Sequence, residues 1–245
     1  MPAMPEHGTW PEHGARPEHR ADPEFRAGRL AALLARLAAG QYPPPDGGVT
    51  ILPQPSPRDA GVLSLTAHAV IFTDAGPGFD RWVRAQLPDG DLAAPMSPQF
   101  LQALGARTGR RANTIDMLCL AGSRPGPPAI GLSPAPAVRH PRGARALRYR
   151  DDVRAWQADG GVMVIGRGVA GRWEVAIEVD PGRRGQGLGR ELATAARHLI
   201  PEDAGDGPGG RLWAQISPGN AASVRAFLAA GFKPVGAEAL LTRPA

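Results

Sequence analysis

Trp173-Glu-Val-Ala-Ile-Glu-Val179 leads into Asp180-Pro-Gly-Arg-Arg-Gly-Gln-Gly-Leu-Gly189 and then into Arg190-Glu-Leu-Ala-Thr-Ala-Ala-Arg-His-Leu-Ile200. The first segment alternates apolar Trp173, Val175, Ile177 and Val179 with Glu174, Ala176 and Glu178, the period-two pattern of a strand with unlike faces. Asp180-Pro181-Gly182 ends that strand. The last segment aligns Leu188, Leu192, Ala195 and Leu199 at spacings of three and four, which predicts a helix over 190–200 lying on a sheet. Between the two, Gly185, Gly187 and Gly189 let the main chain approach a ligand with no Cβ in the way.

A turn at a helix start offers N–H groups without intrahelical partners, and the helix dipole adds partial positive charge there, so a phosphate suits it. Arg183, Arg184 and Arg190 add full charges. The dipole stabilises an exposed anion by only about 0.3–1 kcal/mol, whereas a charge-assisted hydrogen bond contributes roughly 1.5–3 kcal/mol. Several N–H groups and an arginine acting together are therefore enough for a pyrophosphate. Two other glycine-loop readings fail on spacing. A dinucleotide fingerprint starting at Gly185 needs glycine at 190, which is Arg190, and a nucleotide P-loop needs Gly-Lys-Ser/Thr, which is absent. A strand-to-helix turn without a ligand remains the alternative for this stretch taken alone.

Downstream, Arg211-Leu-Trp-Ala-Gln-Ile216 reads as the next strand. Asn220 to Ala230 reads as a helix with Asn220 as N-cap and Gly231 as its stop. Arg184-x-x-Gly187-x-Gly189 after a strand ending Val-Asp-Pro resembles the acetyl-CoA signature R/Q-x-x-G-x-G/A of the GNAT acyltransferase superfamily. The Asn-capped helix closing on Gly231-Phe232 before another strand resembles that family's second motif. The resemblance covers residues 141–245. It implies an α/β (α+β) fold with a mixed, mostly antiparallel central sheet flanked by helices.

The resemblance also implies acetyl (acyl) transfer from acetyl-CoA to an amine by direct attack in a ternary complex. In that family the pyrophosphate lies on the turn, here Arg184, Gly185, Gln186, Gly187, Leu188 and Gly189. A main-chain amide near Val179 polarises the thioester carbonyl, and Asn220 bonds the pantetheine arm. Two positions depart from the family pattern. Phe227 stands where many relatives carry a tyrosine general acid, and Gln215 where some carry a glutamate base. The remaining candidates are Glu174 and Glu178, both on the strand face opposite its apolar stripe. Glu178 is the catalytic candidate of the two, Glu174 reads as a solvated edge residue, and Tyr149 and His68 are weaker candidates. The departures keep open a second class of function, a non-catalytic acyl-CoA-binding or sensing module. The chain after Gly231-Phe232 is also short for the family, which usually adds a strand, a loop over the acceptor cleft and a final strand.

Composition narrows the partners. Of 28 basic residues Lys233 is the only lysine, and the wealth of Arg, Ala, Gly and Pro reads as the coding bias of a GC-rich bacterium. The arginines are scattered among acids with no aromatic interleaving, so the net charge of +5 points to an anionic small molecule rather than nucleic acid. The expected acceptor is a small-molecule or peptide amine, and the expected state is monomer or homodimer. Cys119 is the only cysteine, which rules out an intrachain disulfide and leaves no Cys-based metal site. It reads as a buried strand thiol, and no metal is expected. With no signal-peptide core and no apolar run of membrane length, the expected location is cytoplasmic, with no membrane partner.

The rest of the chain divides by composition. Residues 1–24 repeat Pro-Glu-His, with almost nothing apolar to offset ordering entropy, and read as a disordered arm. His7, His13 and His19 belong to that repeat rather than to a metal site. Residues 25–45 read as a helix over 26–39 followed by the breaker Pro43-Pro-Pro-Asp-Gly-Gly48. Residues 46–140 read as a GNAT-like or accessory half: strands at 49–52 and 61–73, helices near 79–87 and 98–107, a strand at 114–121 and a proline-rich linker. Residues 141–245 form the acyl-CoA-binding domain, opening with a helix over 142–150 and a meander of short strands separated by glycine turns.

Overall fold

Leu30, Leu34 and Leu37 recur at spacings of four and three, and in the computed structural model they form the buried stripe of helix α1 (Pro23–Ala38). Burying each contributes about 1.5–3 kcal/mol. The structure describes residues 23–74, 76–87, 90–201 and 210–244. The expected arm therefore lies outside the described residues up to position 22, while Pro23 and Glu24 open α1, where proline is tolerated.

After α1 come β1 (Val49–Leu52), β2 (Gly61–Leu65), β3 (His68–Phe72), α2 (Phe79–Gln86), α3 (Pro98–Thr108) and β4 (Arg111–Gly122). Then follow β5 (Ser133–Ala135), α4 (Pro141–Tyr149), β6 (Asp151–Ala158), β7 (Gly161–Arg167) and β8 (Trp173–Val179). The chain continues through α5 (Leu188–Ala196), β9 (Arg211–Ile216), α6 (Ala221–Ala229) and β10 (Lys233–Thr242). All ten strands join one mixed sheet in the order β1-β3-β2-β10-β4-β9-β8-β7-β6-β5. Only β1 with β3 and β8 with β9 run parallel.

Two expectations change. The strand read over 61–73 is a hairpin, β2 and β3, turning at Thr66-Ala67. Ala67 takes a φ of 55°, a left-handed conformation for which no glycine or asparagine gave a signal. The helix read over 190–200 begins at Leu188 and ends at Ala196. Its end tightens, with His198 and Leu199 N–H donating to the carbonyls of Ala195 and Ala196, while the Arg197 guanidinium donates to the carbonyls of Gly122 and Ala230 at 2.8 Å each. After Phe232, β10 runs between β2 and β4, and β4, from the N-terminal half, occupies the place beside β9.

Cross-strand register fixes the two faces of the sheet. One face carries Cys119, Val175, Leu212 and Ala214 under α5 and α6, and Val62, Ile71 and Ala239 under α2 and α3. The other carries Leu63, Val70, Leu118 and Trp213 under α1, and Val162 and Val164 under α4. Between those last two clusters the face is polar. Asp116 pairs across to Glu238, Gln215 lies opposite Leu118, and Glu174, Ala176 and Glu178 follow along β8.

Candidate active site

β8 and β9 pair at Glu174 and Trp213 only. Beyond that bridge no ladder joins them, so the strands open toward Val179 and Ile216. The opening leads to a groove of about 880 Å³. It is bordered by the residues expected to bind the cofactor, Val179, Arg184, Gly185, Gln186, Gly187, Leu188, Gly189 and Asn220, and by Glu178.

The turn is built by its own local bonds. Arg183 N–H donates to the Asp180 carbonyl at 2.9 Å, Gln186 Nε2 to the Gly182 carbonyl at 3.1 Å, and Arg184 Nε to the Val179 carbonyl at 3.2 Å. Gly187 is the N-cap of α5 with a φ of 91°, a backbone that L side chains rarely adopt. Among the described residues no main-chain acceptor takes the N–H groups of 185–188. Gly189 differs. A Cβ there would meet nothing nearer than Ala226 Cβ at 3.5 Å, an ordinary contact, so the protein's own packing does not demand glycine at this position. Asn220 caps α6, its Oδ1 accepting from Ser223 N–H at 3.1 Å.

Beside this groove lies a second one of about 530 Å³, which shares Arg142, Ile177, Glu178, Asn220 and Ser223 with the first. It continues into a more enclosed cavity of about 160 Å³ between α4 and the polar face. Glu178 thus borders both the turn side and the α4 side. Its Oε2 accepts from Arg142 Nε at 3.1 Å, and about a third of each side chain is exposed.

Glu174 is not the solvated edge residue expected. It is 3% exposed, accepting from Arg172 Nε at 2.8 Å, Arg150 Nε at 2.9 Å and Val169 N–H at 3.3 Å. Burial alone would raise its pKa, but the Arg172 and Arg150 guanidinium groups prevail and hold it below the ordinary glutamate value. Gly168 makes room, since a Cβ there would fall 2.2 Å from the Glu174 carboxyl carbon. Arg172 also bonds Glu238 at 2.7 Å, and Gln215 Nε2 donates to the same carboxylate oxygen. Burial opposes the Arg172 charge, yet Glu238 and Glu174 outweigh it and raise its pKa. The sign pattern alternates through the sheet: acid on the face, arginine from the flanking loops.

The remaining candidates divide clearly. Phe227 is buried and packs edge-on to Phe232 with ring centroids 4.9 Å apart, so no donor occupies that position. His68 is engaged by Thr50 Oγ1 at 2.9 Å and Asp46 at 2.8 Å, on a strand near the far edge of the sheet. Cys119 is fully buried and its thiol is pushed up to about 11 by desolvation, which makes it inert. Tyr149 is exposed beneath Arg145 and borders the enclosed cavity. Asp116, Arg142, Arg145 and Arg150 also line the α4 side and carry no sequence motif. Their only signals are the polar residues Asn113, Thr114 and Asp116 inside an interior strand, and Arg142 and Arg145 three apart on α4 with Arg150 at its C-cap. Burial raises the Asp116 pKa, against the bond from Thr114 and the charge of Arg145.

Among the described residues no group of His, Cys, Asp and Glu is arranged to hold a metal, and no helix is long and apolar enough to cross a membrane. Residues 147–232 match the family model described as Acetyltransferase (GNAT) family. No curated protein matches the chain. Among solved structures it is similar to a GCN5-related N-acetyltransferase from Kribbella flavida, at 19% identity and a TM-score of 0.38 over 59% of this chain and 64% of that one. It is also similar to a protein described as a GNAT-family acetyltransferase from Novosphingobium aromaticivorans, at 17% identity and a TM-score of 0.37 over 56% of this chain and 69% of that one. The chain thus spans slightly under two thirds of the first of these relatives.

Proposed function

We propose that this chain, whose residues 147–232 belong to the GNAT acetyltransferase family, is a cytoplasmic bacterial N-acetyltransferase using acetyl-CoA as co-substrate. The observation that carries this reading is the groove where β8 and β9 part, joining a turn with open N–H groups to a carboxylate, Glu178. Gly189 supports it further, because a close-approaching ligand accounts for a glycine that packing does not require. In this reading the N–H groups of 184–189 hold the pyrophosphate, the Val179 amide donates to the developing oxyanion, and Asn220 bonds the pantetheine arm. Glu178 takes a proton from the attacking amine. The leaving sulfur takes its proton from water or from the amine, since Phe227 has none to give.

The buried ring of Phe227 and the engagement of Gln215 with Glu238 favour a second reading, an acyl-CoA-binding module without turnover. Thiol release assayed with a panel of amines separates the two. For the site itself, Gly187→Asp and Gly189→Asp set bulk and negative charge where the phosphates would lie. Losing two charge-assisted bonds weakens binding by roughly 10²–10⁴-fold. Unchanged acetyl-CoA affinity by calorimetry in folded variants removes the proposal.

A further inference from the structure

The enclosed cavity under α4 holds more charge than its ion pairs consume. Arg58 bonds Asp59 and Asp151, Arg142 bonds Glu178, and Glu174 is held by Arg150 and Arg172. Two lining groups stand apart. Asp116 accepts only from Thr114 Oγ1, at 3.1 Å, and has no guanidinium within ion-pair distance among the described residues. Arg145 has its guanidinium 5.4 Å from the centre of the Tyr149 ring and no carboxylate within ion-pair distance among the described residues. A third group has spare capacity. The Arg150 side chain is only 10% exposed, and its Nη1 is buried without a hydrogen-bond partner among the described residues. A buried donor left unmatched is costly, about 1–3 kcal/mol and more for a charged group, so an acceptor atom belongs beside it.

We infer that this cavity receives an amine acceptor that also bears a carboxylate, a free amino acid or a close analogue, with its ammonium toward Asp116 and its carboxylate toward Arg145 and Arg150. The inference rests on the acyl-transfer reading above. Asp116 and Glu178 lie on the same polar face of the sheet, and both border the groove that opens onto the parted strands. An ammonium there compensates a half-buried carboxylate that otherwise carries its charge at a cost. Asp116 is thus a positioning residue for the amine, and Glu178 the proton acceptor. The ammonium gives one proton to Glu178, and the freed nitrogen lone pair forms the C–N bond at the acyl carbon. The C–S bond then breaks with its electron pair going to sulfur, and the second amine proton ends on the thiolate. The products are the N-acetyl amino acid and the free thiol.

The test has two stages on the full chain. Calorimetry first measures acetyl-CoA affinity. Thiol release is then followed with the twenty amino acids, their methyl esters, the matching decarboxylated amines and O-phosphoethanolamine. Free amino acids are expected to exceed their esters and decarboxylated amines by about 10–100-fold in kcat/KM, the scale of a charge-assisted arginine contact. Arg145→Ala, at an exposed position of α4, should erase that preference, and Arg145→Lys should restore part of it. Asp116→Asn should raise KM for the amines about 10-fold or more while leaving kcat nearly unchanged, unlike Glu178→Gln, which acts on kcat. Equal or faster turnover of decarboxylated amines or O-phosphoethanolamine overturns the inference, as does a preference that survives Arg145→Ala. If acetyl-CoA binds but none of these amines releases thiol, the amino-acid acceptor is wrong and the binding site stands. If acetyl-CoA does not bind, the acyl-transfer reading falls first and takes this inference with it.

Discussion

The two cavities that meet at Glu178 are made in opposite ways. The groove on the turn side is lined almost wholly by two continuous runs, 177–190 and 220–229. The α4 side, the second groove together with the enclosed cavity it continues into, is collected from residues 58–60, 113–116, 141–150, 169–178, 215–227 and 240–242. One is a loop presenting main-chain donors, and its chemistry is the same whatever side chains surround it. The other is a set of side chains from distant strands, held in place by a buried ionic lattice of Arg150, Arg172, Glu174 and Glu238. A shared reaction component suits the first construction, and a variable acceptor suits the second.

If this contrast holds, damage at Glu178, where the two meet, should have the largest effect. Glu178→Gln is expected to lower turnover by about 10²–10⁴-fold with acetyl-CoA affinity little changed; full turnover across the pH range would make Glu178 a mere exposed strand residue. Next comes the lattice. Glu174→Gln leaves the Arg150 and Arg172 charges under-compensated and should cost about 3–5 kcal/mol of stability by denaturant melt. Its pH dependence has a definite sign. Because the Glu174 pKa is lowered in the folded chain, its contribution is present above the ordinary glutamate value of 4.5 and is lost as pH falls through the lower folded value. The stability gap between wild type and Glu174→Gln should therefore be widest near neutrality and close in acid. A gap constant with pH would assign the loss to packing instead.

Asp116 should behave in the opposite sense. Its folded pKa is raised by burial, so the charged form is disfavoured at neutral pH. Asp116→Asn is expected to raise Tm slightly at pH 7, with the gain vanishing below the ordinary aspartate value. Destabilisation by this variant would mean that Asp116 is a structural group rather than one reserved for a ligand. The smallest effect is expected from Phe227→Tyr. The ring contact with Phe232 survives the change, and turnover should stay level or rise mildly.

The same contrast explains what could be read in advance. The turn groove was legible because its meaning is local: Gly187 needs a left-handed backbone, Asn220 an N-cap, and Val175 and Ile177 a helix above them. The α4 side was not, because its residues become neighbours only through pairing across strands. Asp116 and Glu238 meet in register although 122 positions separate them. Glu174 shows the limit best. It alternates with apolar neighbours just as Glu178 does, and only Arg172 and Arg150 distinguish a locked carboxylate from an accessible one. The hairpin at Thr66-Ala67 was missed for a simpler reason. A left-handed alanine leaves no mark in the sequence.

The place of β10 between β2 and β4 also governs the order in which the molecule can assemble. β2 and β3 are made early and pair locally, but the far edge of β2 stays open until residues 237–240 exist to cover it. β4 likewise waits for β9 on one side and β10 on the other. Such pairings, between strands far apart in the chain, delay closure of the sheet and leave apolar strand edges exposed during synthesis. The N-terminal strands are thus not an independently finished unit on the ribosome. They form a template that β10 must reach before the cavity under α4 has all its walls.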